Sequence, residues 1–185
     1  MKQLFIFSFV FLYACSVQLV KSTNDDPENY ILWDESRPLT WEDFQGTPLD
    51  QSEALASEII IFNPSSYEGR PLFLPAQFEA KTLFDKKKSW VNEKYASELL
   101  LEYNQVVFNL YEVYTRKLKK AMVDTSFGMS NPIDIYHNIA MRNNETLMDE
   151  ISKFREESNL GRNKDAVEKW FKDVNSQLNN LVEYQ

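Results

Sequence analysis

The chain has 185 residues, with 28 Asp and Glu against 20 Lys and Arg, a formal net charge of −8, one cysteine and one histidine. From Thr23 onward 18 basic residues face 28 acidic ones, a balance of −10 that opposes electrostatic binding to nucleic acid or an anionic membrane and keeps an exported protein soluble. With Cys15 the only cysteine, the remainder has no disulfide or thiolate metal site, so an aromatic-rich core must hold one domain together.

Met1-Lys2-Gln3 followed by the apolar run Leu4 to Ala14 has the order and length of a secretory signal peptide, and the run is too short to span a membrane. Residues 1–22 are therefore expected to direct export to the periplasm or the extracellular space. Two processing patterns overlap here. Leu12-Tyr13-Ala14-Cys15 resembles a bacterial lipobox, which would place a lipid on Cys15 and anchor the protein to the envelope. Val20-Lys21-Ser22 suits ordinary cleavage before Thr23, in which case Cys15 leaves with the signal. Residues 23–30 are polar and read as a disordered tether, and residues 31–185 as the folded domain.

Strand signals come first in that domain: Ile31-Leu32-Trp33, then Ala56 to Phe62, then Phe73 to Phe84, where Phe78, Ala80 and Thr82 alternate against Gln77, Glu79 and Lys81. Asn63 to Pro71 reads as the turn between the last two, and the expectation is a small antiparallel sheet. Leu99, Tyr103, Val107, Leu110, Tyr114 and Leu118 then recur at spacings of four and three, the stripe of an α-helix that ends near Ala121 to Val123. Glu98, Glu102, Gln105, Asn109, Glu112, Arg116 and Lys119 fall on its other face. Thr125 to Pro132 breaks the pattern, and Pro132 suits the first turn of a following helix. Ile135, Ile139, Leu147, Ile151 and Phe154 give one or two helices, with Asn143-Asn144 as the point of interruption and Gly161 as the stop. Val167, Trp170, Phe171, Val174, Leu178 and Leu181 form a last amphipathic helix. Strands first and helices after make the fold class α+β. Trp33, Trp41 and Trp90 are assigned to the core, where aromatic bodies usually bury.

The inventory of chemical groups is sparse. His137 stands alone between Ile135 and Ile139, and a metal site needs several convergent ligands, so it reads as a surface residue or a carboxylate's partner. Glu112 precedes Arg116 by four residues, the spacing of a helix ion pair worth a few tenths of a kcal/mol. Cysteine–histidine catalysis fails on the position of Cys15, and a serine triad would need His137 without any G-x-S-x-G. No phosphate loop, dinucleotide fingerprint or EF-hand run is present, so no cofactor is specified.

Four segments, in order, carry a resemblance to a family. Leu100 to Leu118 is similar to the helix L-L-x-H-E-Q-x-H-F-D-I-A-E-x-Y-x-R-K-L of secreted bacterial proteins predicted to be zinc-dependent proteases, agreeing at Gln105, Phe108, Glu112, Tyr114, Arg116, Lys117 and Leu118. Leu39 to Gly46 resembles that family's L-x-W-x-D-F-x-G, Phe84 to Val91 its F-x-x-x-x-S-W-V, and Phe154 to Gly161 its Y-D-x-E-T-x-H-G. The likeness runs from about Leu32 to Leu181. It implies a zincin-like fold, a sheet followed by a long active-site helix and C-terminal helices.

In that register HExxH is replaced by Tyr103-Asn104-Gln105-Val106-Val107, and the expected third ligand by Leu160. An HExxH helix works because two histidines four residues apart bind Zn²⁺ from one face while the Glu activates the bound water. None of these groups remains. A lost metal would leave buried ligands unsatisfied at roughly 1–3 kcal/mol each, and apolar replacements remove that cost. An ordinary core helix that never held a site would equally bind no metal. The resemblance therefore implies an exported pseudoprotease without metal or cofactor, whose old cleft binds an unknown protein or peptide through edge-strand hydrogen bonds. Two alternatives stay open: an active metal-dependent hydrolase using Glu98, Glu102, Glu112 and His137, and a structural envelope lipoprotein for which Cys15 matters most.

Overall fold

The computed structural model describes residues 26–48, 56–68, 77–125 and 132–185. The signal segment, Cys15 and Thr23 to Asp25 lie outside them. Asp26 to Asn29, expected as tether, instead form a hydrogen-bonded turn. The Asp26 carboxylate accepts the Glu28 N–H and the Asn29 side-chain amide, and its carbonyl accepts the Tyr30 N–H. The polar composition that suggested disorder supplies an Asx turn, and Lys86 ties it down by donating its N–H to the Asn29 carbonyl.

The fold is α+β. Its strands are β1 (Tyr30–Leu32), β2 (Ser57–Glu58), β3 (Ile61–Phe62), β4 (Ser65–Glu68), β5 (Gln77–Ala80), β6 (Leu83–Asp85) and β7 (Trp90–Val91). They pair antiparallel in three pieces, β1-β6-β3, β2-β7 and β4-β5, rather than in the one sheet expected. Two of the pieces continue each other, because the register of Ile61 opposite Phe84 passes without slip into that of Ser65 opposite Ala80. Strand β4 thus occupies part of the expected turn. Pro64 lacks an N–H, but its carbonyl still accepts the Lys81 N–H, so Asn63-Pro64 interrupts the ribbon without ending it.

Between β3-β6 and β2-β7 two residues, Ile59 and Ile60, face five, Asp85 to Ser89. This large bulge is built from buried polar groups. The Asp85 carboxylate accepts the N–H groups of Lys87 and Lys88, and Ser89 Oγ accepts that of Ile60. The Ser89 carbonyl accepts the Gly46 N–H at 2.8 Å, and a Cβ on Gly46 would lie 2.8 Å from that same oxygen. Only glycine lets the two backbones meet this closely.

Among the described residues three α-helices follow: α1 (Glu98–Asp124), capped by Ser97 Oγ on the Leu100 N–H, α2 (Pro132–Glu157), and α3 (Lys164–Asn180), capped by the Asn163 side chain. Helix α2 runs through Asn143-Asn144 without a break, because the Asn143 amide donates to the Tyr114 carbonyl and becomes a bridge to α1. Helix α1 is the central element, packed against β5, α2 and α3. Covered on several sides, it has no solvated polar face of the expected width: Asn109, Glu112 and Arg116 are buried along with the apolar stripe.

These polar groups are paired inside, except that Arg116 Nη2 has no hydrogen-bond partner. Arg116, 2% exposed, donates from Nε to Glu112 at 2.8 Å and from Nη1 to the Leu178 carbonyl at 3.0 Å. Its guanidinium lies 4.9 Å from the Trp33 ring. The Trp33 indole N–H donates to Asn109 Oδ1, and the Asn109 amide donates to Asn175. Glu112 and Arg116 are therefore a buried ion pair and not the surface pair expected from spacing. Trp33 and Trp90 are buried and Trp41 is half-buried, so all three contribute to packing.

Candidate functional site

Tyr103 and Val107 sit one turn apart on α1, and both are buried, 7% and 1% exposed. The Tyr103 ring stacks on Phe154 of α2 at 5.0 Å and 25°, and Phe154 in turn tilts against Trp170 of α3 at 5.3 Å. Burial pushes the Tyr103 phenol above its ordinary pKa, with the Arg155 charge opposing, so the group is neutral at physiological pH. Val107 is part of the same apolar cluster.

Asn104 is 1% exposed. Its amide donates to the Leu100 carbonyl at 2.9 Å and to Ser57 Oγ of β2 at 3.0 Å. A carboxamide does not ionise, and both of its amide hydrogens are engaged, so it cannot take a proton from water. Its role here is to join α1 to β2.

Leu160 lies in the turn between α2 and α3, half-buried. Asn159, Leu160 and Gly161 have φ of 49°, 54° and 82°, three successive left-handed residues. This conformation is what reverses the chain: the Leu160 N–H donates to the Arg155 carbonyl and the Asn163 N–H to the Ser158 carbonyl. Leucine is an uncommon occupant of that region, in which Asn, Asp and His are enriched. The turn backs directly onto α1, since a Cβ on Gly161 would lie 3.0 Å from Tyr103 Cγ and 3.4 Å from a Leu100 methyl. Tyr103, the first of the positions that the protease register assigns to metal ligands on α1, thus has the α2–α3 turn against it.

What remains open is a pocket of about 200 Å³ lined by Ala56, Tyr95, Ser97, Leu100, Leu160, Gly161 and Arg162. That is below the usual 300–1,000 Å³ of a small-molecule site, and its lining is as polar as it is apolar. The other candidate groups are dispersed. Glu98 is exposed, Glu102 is half-buried, Glu112 is held by Arg116, and His137 is exposed near the start of α2. Among the described residues no three His, Cys, Asp or Glu side chains lie where they could hold one metal ion together. Among the described residues, likewise, no helix is long and apolar enough to cross a membrane.

Sequence reasoning missed the buried polar set on α1, namely Asn104 with Ser57, Asn109 with Trp33 and Asn175, and Arg116 with Glu112. A signal was present. From Val106 to Leu118 the apolar residues surround the helix rather than striping it, and polar groups embedded in such a run must be buried and paired. Comparison with protein-family models, with curated proteins and with solved structures finds no match to this chain.

Proposed function

We propose that the protein is an exported, catalytically inactive relative of secreted zinc-dependent proteases, zincin-like in fold, which binds a protein or peptide instead of cleaving one. What supports this reading is that the residues carrying the resemblance meet one another. Gln105 accepts the Leu39 N–H at 2.8 Å, Gly46 donates to Ser89, Phe84 lies 5.2 Å from Phe44 and 5.9 Å from Phe108, and Phe154 stacks on Tyr103. Segments scattered over more than a hundred residues form one contact set around α1. At its centre the register positions are occupied by a stacked phenol, a carboxamide and a packed Val, none of which binds or activates a zinc-bound water. The third position, Leu160, has left-handed backbone, which His tolerates better than Leu does. Loss of ligands by substitution accounts for each of these at once.

Binding follows from what a degenerate cleft retains. A protease presents extended substrate along a strand edge, and the proposed binding would use such an edge without the metal. The discriminating measurement is zinc content and zinc titration of the full chain beside the variant carrying Tyr103→His, Asn104→Glu, Val107→His and Leu160→His, with circular dichroism to establish that the variant folds. The wild type is expected to take up no zinc and the variant one equivalent. Tight zinc in the wild type, or none in the folded variant, overturns the reading.

A further inference from the structure

A second site lies at the far end of α1, roughly 28 Å along the helix axis from Leu100, counted at 1.5 Å per residue to Lys119. There the β4–β5 ribbon, the last turns of α1 and the C-terminal segment enclose a groove of about 910 Å³. That volume falls within the range of small-molecule sites. Tyr67, Phe78, Ala80, Met122, Val123 and Tyr184 give it an apolar, aromatic wall.

The wall is already in place. Tyr136 of α2 stacks on Tyr67 at 5.8 Å and tilts against Phe78 at 5.8 Å, with its hydroxyl bonded to Ser65 Oγ. Lys120 fixes Tyr184 by lying 5.3 Å from the ring centre while pairing with Asp124 at 2.6 Å. Lys120 is thereby satisfied. Lys119, the next residue, also lines the groove and is half-buried, yet among the described residues it makes no hydrogen bond or ion pair. Burial lowers its pKa, and the two charges behind it, Glu112 and Arg116, act in opposite directions. Glu79 and Glu183 also border the groove, but both are exposed to solvent. Lys81, half-buried, and Gln185 border it as well, and Lys119 is a half-buried cation of the wall with no direct hydrogen-bond or ion-pair partner among the described residues.

We propose that this groove binds an amphiphile with an apolar body and a single carboxylate head, the head seated on the Lys119 ammonium. The apolar wall recognises the body, and the carboxylate supplies the counter-charge and hydrogen-bond acceptors that Lys119 lacks. This site is separate from the degenerate one and does not depend on the protease reading.

The test is isothermal titration of the full chain with decanoate and with decanol, which share a chain and differ in the head. Decanoate is expected to bind with one-to-one stoichiometry and more tightly than decanol. Lys119→Met, close in length and making no demand on any partner, should weaken decanoate about 10–100-fold, the range for a hydrogen bond to a charged group, and leave decanol unchanged. Val123→Trp, at a position 73% exposed and so harmless to folding, should weaken both ligands by filling the groove. Equal binding of decanoate and decanol, no decanoate binding below about 1 mM, full decanoate affinity in Lys119→Met, or no effect of Val123→Trp would each overturn the proposal.

Discussion

Gly161→Ala tests the contact on which the arrangement around Tyr103 depends. Two separate penalties arise at this position. At φ of 82° an L-residue with a Cβ is strained by about 1–2 kcal/mol relative to glycine. The new Cβ would also stand 3.0 Å from Tyr103 Cγ and 3.1 Å from Tyr103 Cβ, and Tyr103 cannot retreat because its ring is stacked on Phe154. Overpacking of this kind costs about 1–3 kcal/mol. Together they give about 2–5 kcal/mol, a fall in Tm of roughly 4–20 °C for a domain of this size. Urea denaturation followed by tryptophan fluorescence reads the value directly. The double variant with Tyr103→Ala separates the two contributions, since removing the ring relieves the crowding and leaves the backbone strain. The coupling between the two changes should therefore be about 1 kcal/mol or more in the favourable direction. A Gly161→Ala variant that loses less than about 1 kcal/mol, with no coupling to Tyr103→Ala, would refute the packing of this turn on α1.

Glu112→Ala should cost about 3–5 kcal/mol in the same denaturation assay, because Arg116 would be left charged in the interior. Joint replacement by Glu112→Leu and Arg116→Met should cost less than that single change, and the opposite order would place the pair in solvent. Gly46→Ala should destabilise by at least about 2 kcal/mol, since its Cβ would meet the backbone carbonyl of Ser89 rather than a side chain able to move. Alkaline pH gives a fourth test. Burial raises the phenols of Tyr103, Tyr111 and Tyr114 above the ordinary value of 10.0. The folded state then holds protons that the unfolded state releases, so their contribution is complete below pH 10 and is lost as pH rises through the folded-state values. Absorbance at 295 nm should show exposed tyrosines ionising first and the remainder only with cooperative unfolding, and Tyr103→Phe should reduce the dependence of stability on pH above 10. One transition with every tyrosine ionising together near pH 10 would contradict the burial.

Much of the architecture was legible because it rests on local pattern. The stripe from Leu99 to Leu118, the Pro132 start and the Gly161 stop each locate a helix through periodicity and backbone preference. What failed depended on neighbours distant in sequence. Asn143-Asn144 reads as a break until Tyr114 is found to accept its hydrogen bond, and Asn63-Pro64 reads as a turn until Lys81 is found opposite. Asp26 to Asn29 reads as tether until Lys86 is found to hold it. The groove at Lys119 could not be foreseen, since its walls come from Tyr67, residues 78 to 81, residues 119 to 125 and the C-terminal turn.

By itself the sequence determined the order of strands and helices, the single long core helix, and the absence of histidine and carboxylate from Tyr103, Val107 and Leu160, because composition and 3.6-residue periodicity are properties of the chain alone. Only the tertiary structure decided that α1 is covered on several sides, that Glu112 and Arg116 are buried beneath Trp33, and that Gly161 closes on Tyr103. Burial is a property of what a helix packs against, and a polar residue four positions from its partner looks the same in sequence whether the next layer is water or another helix.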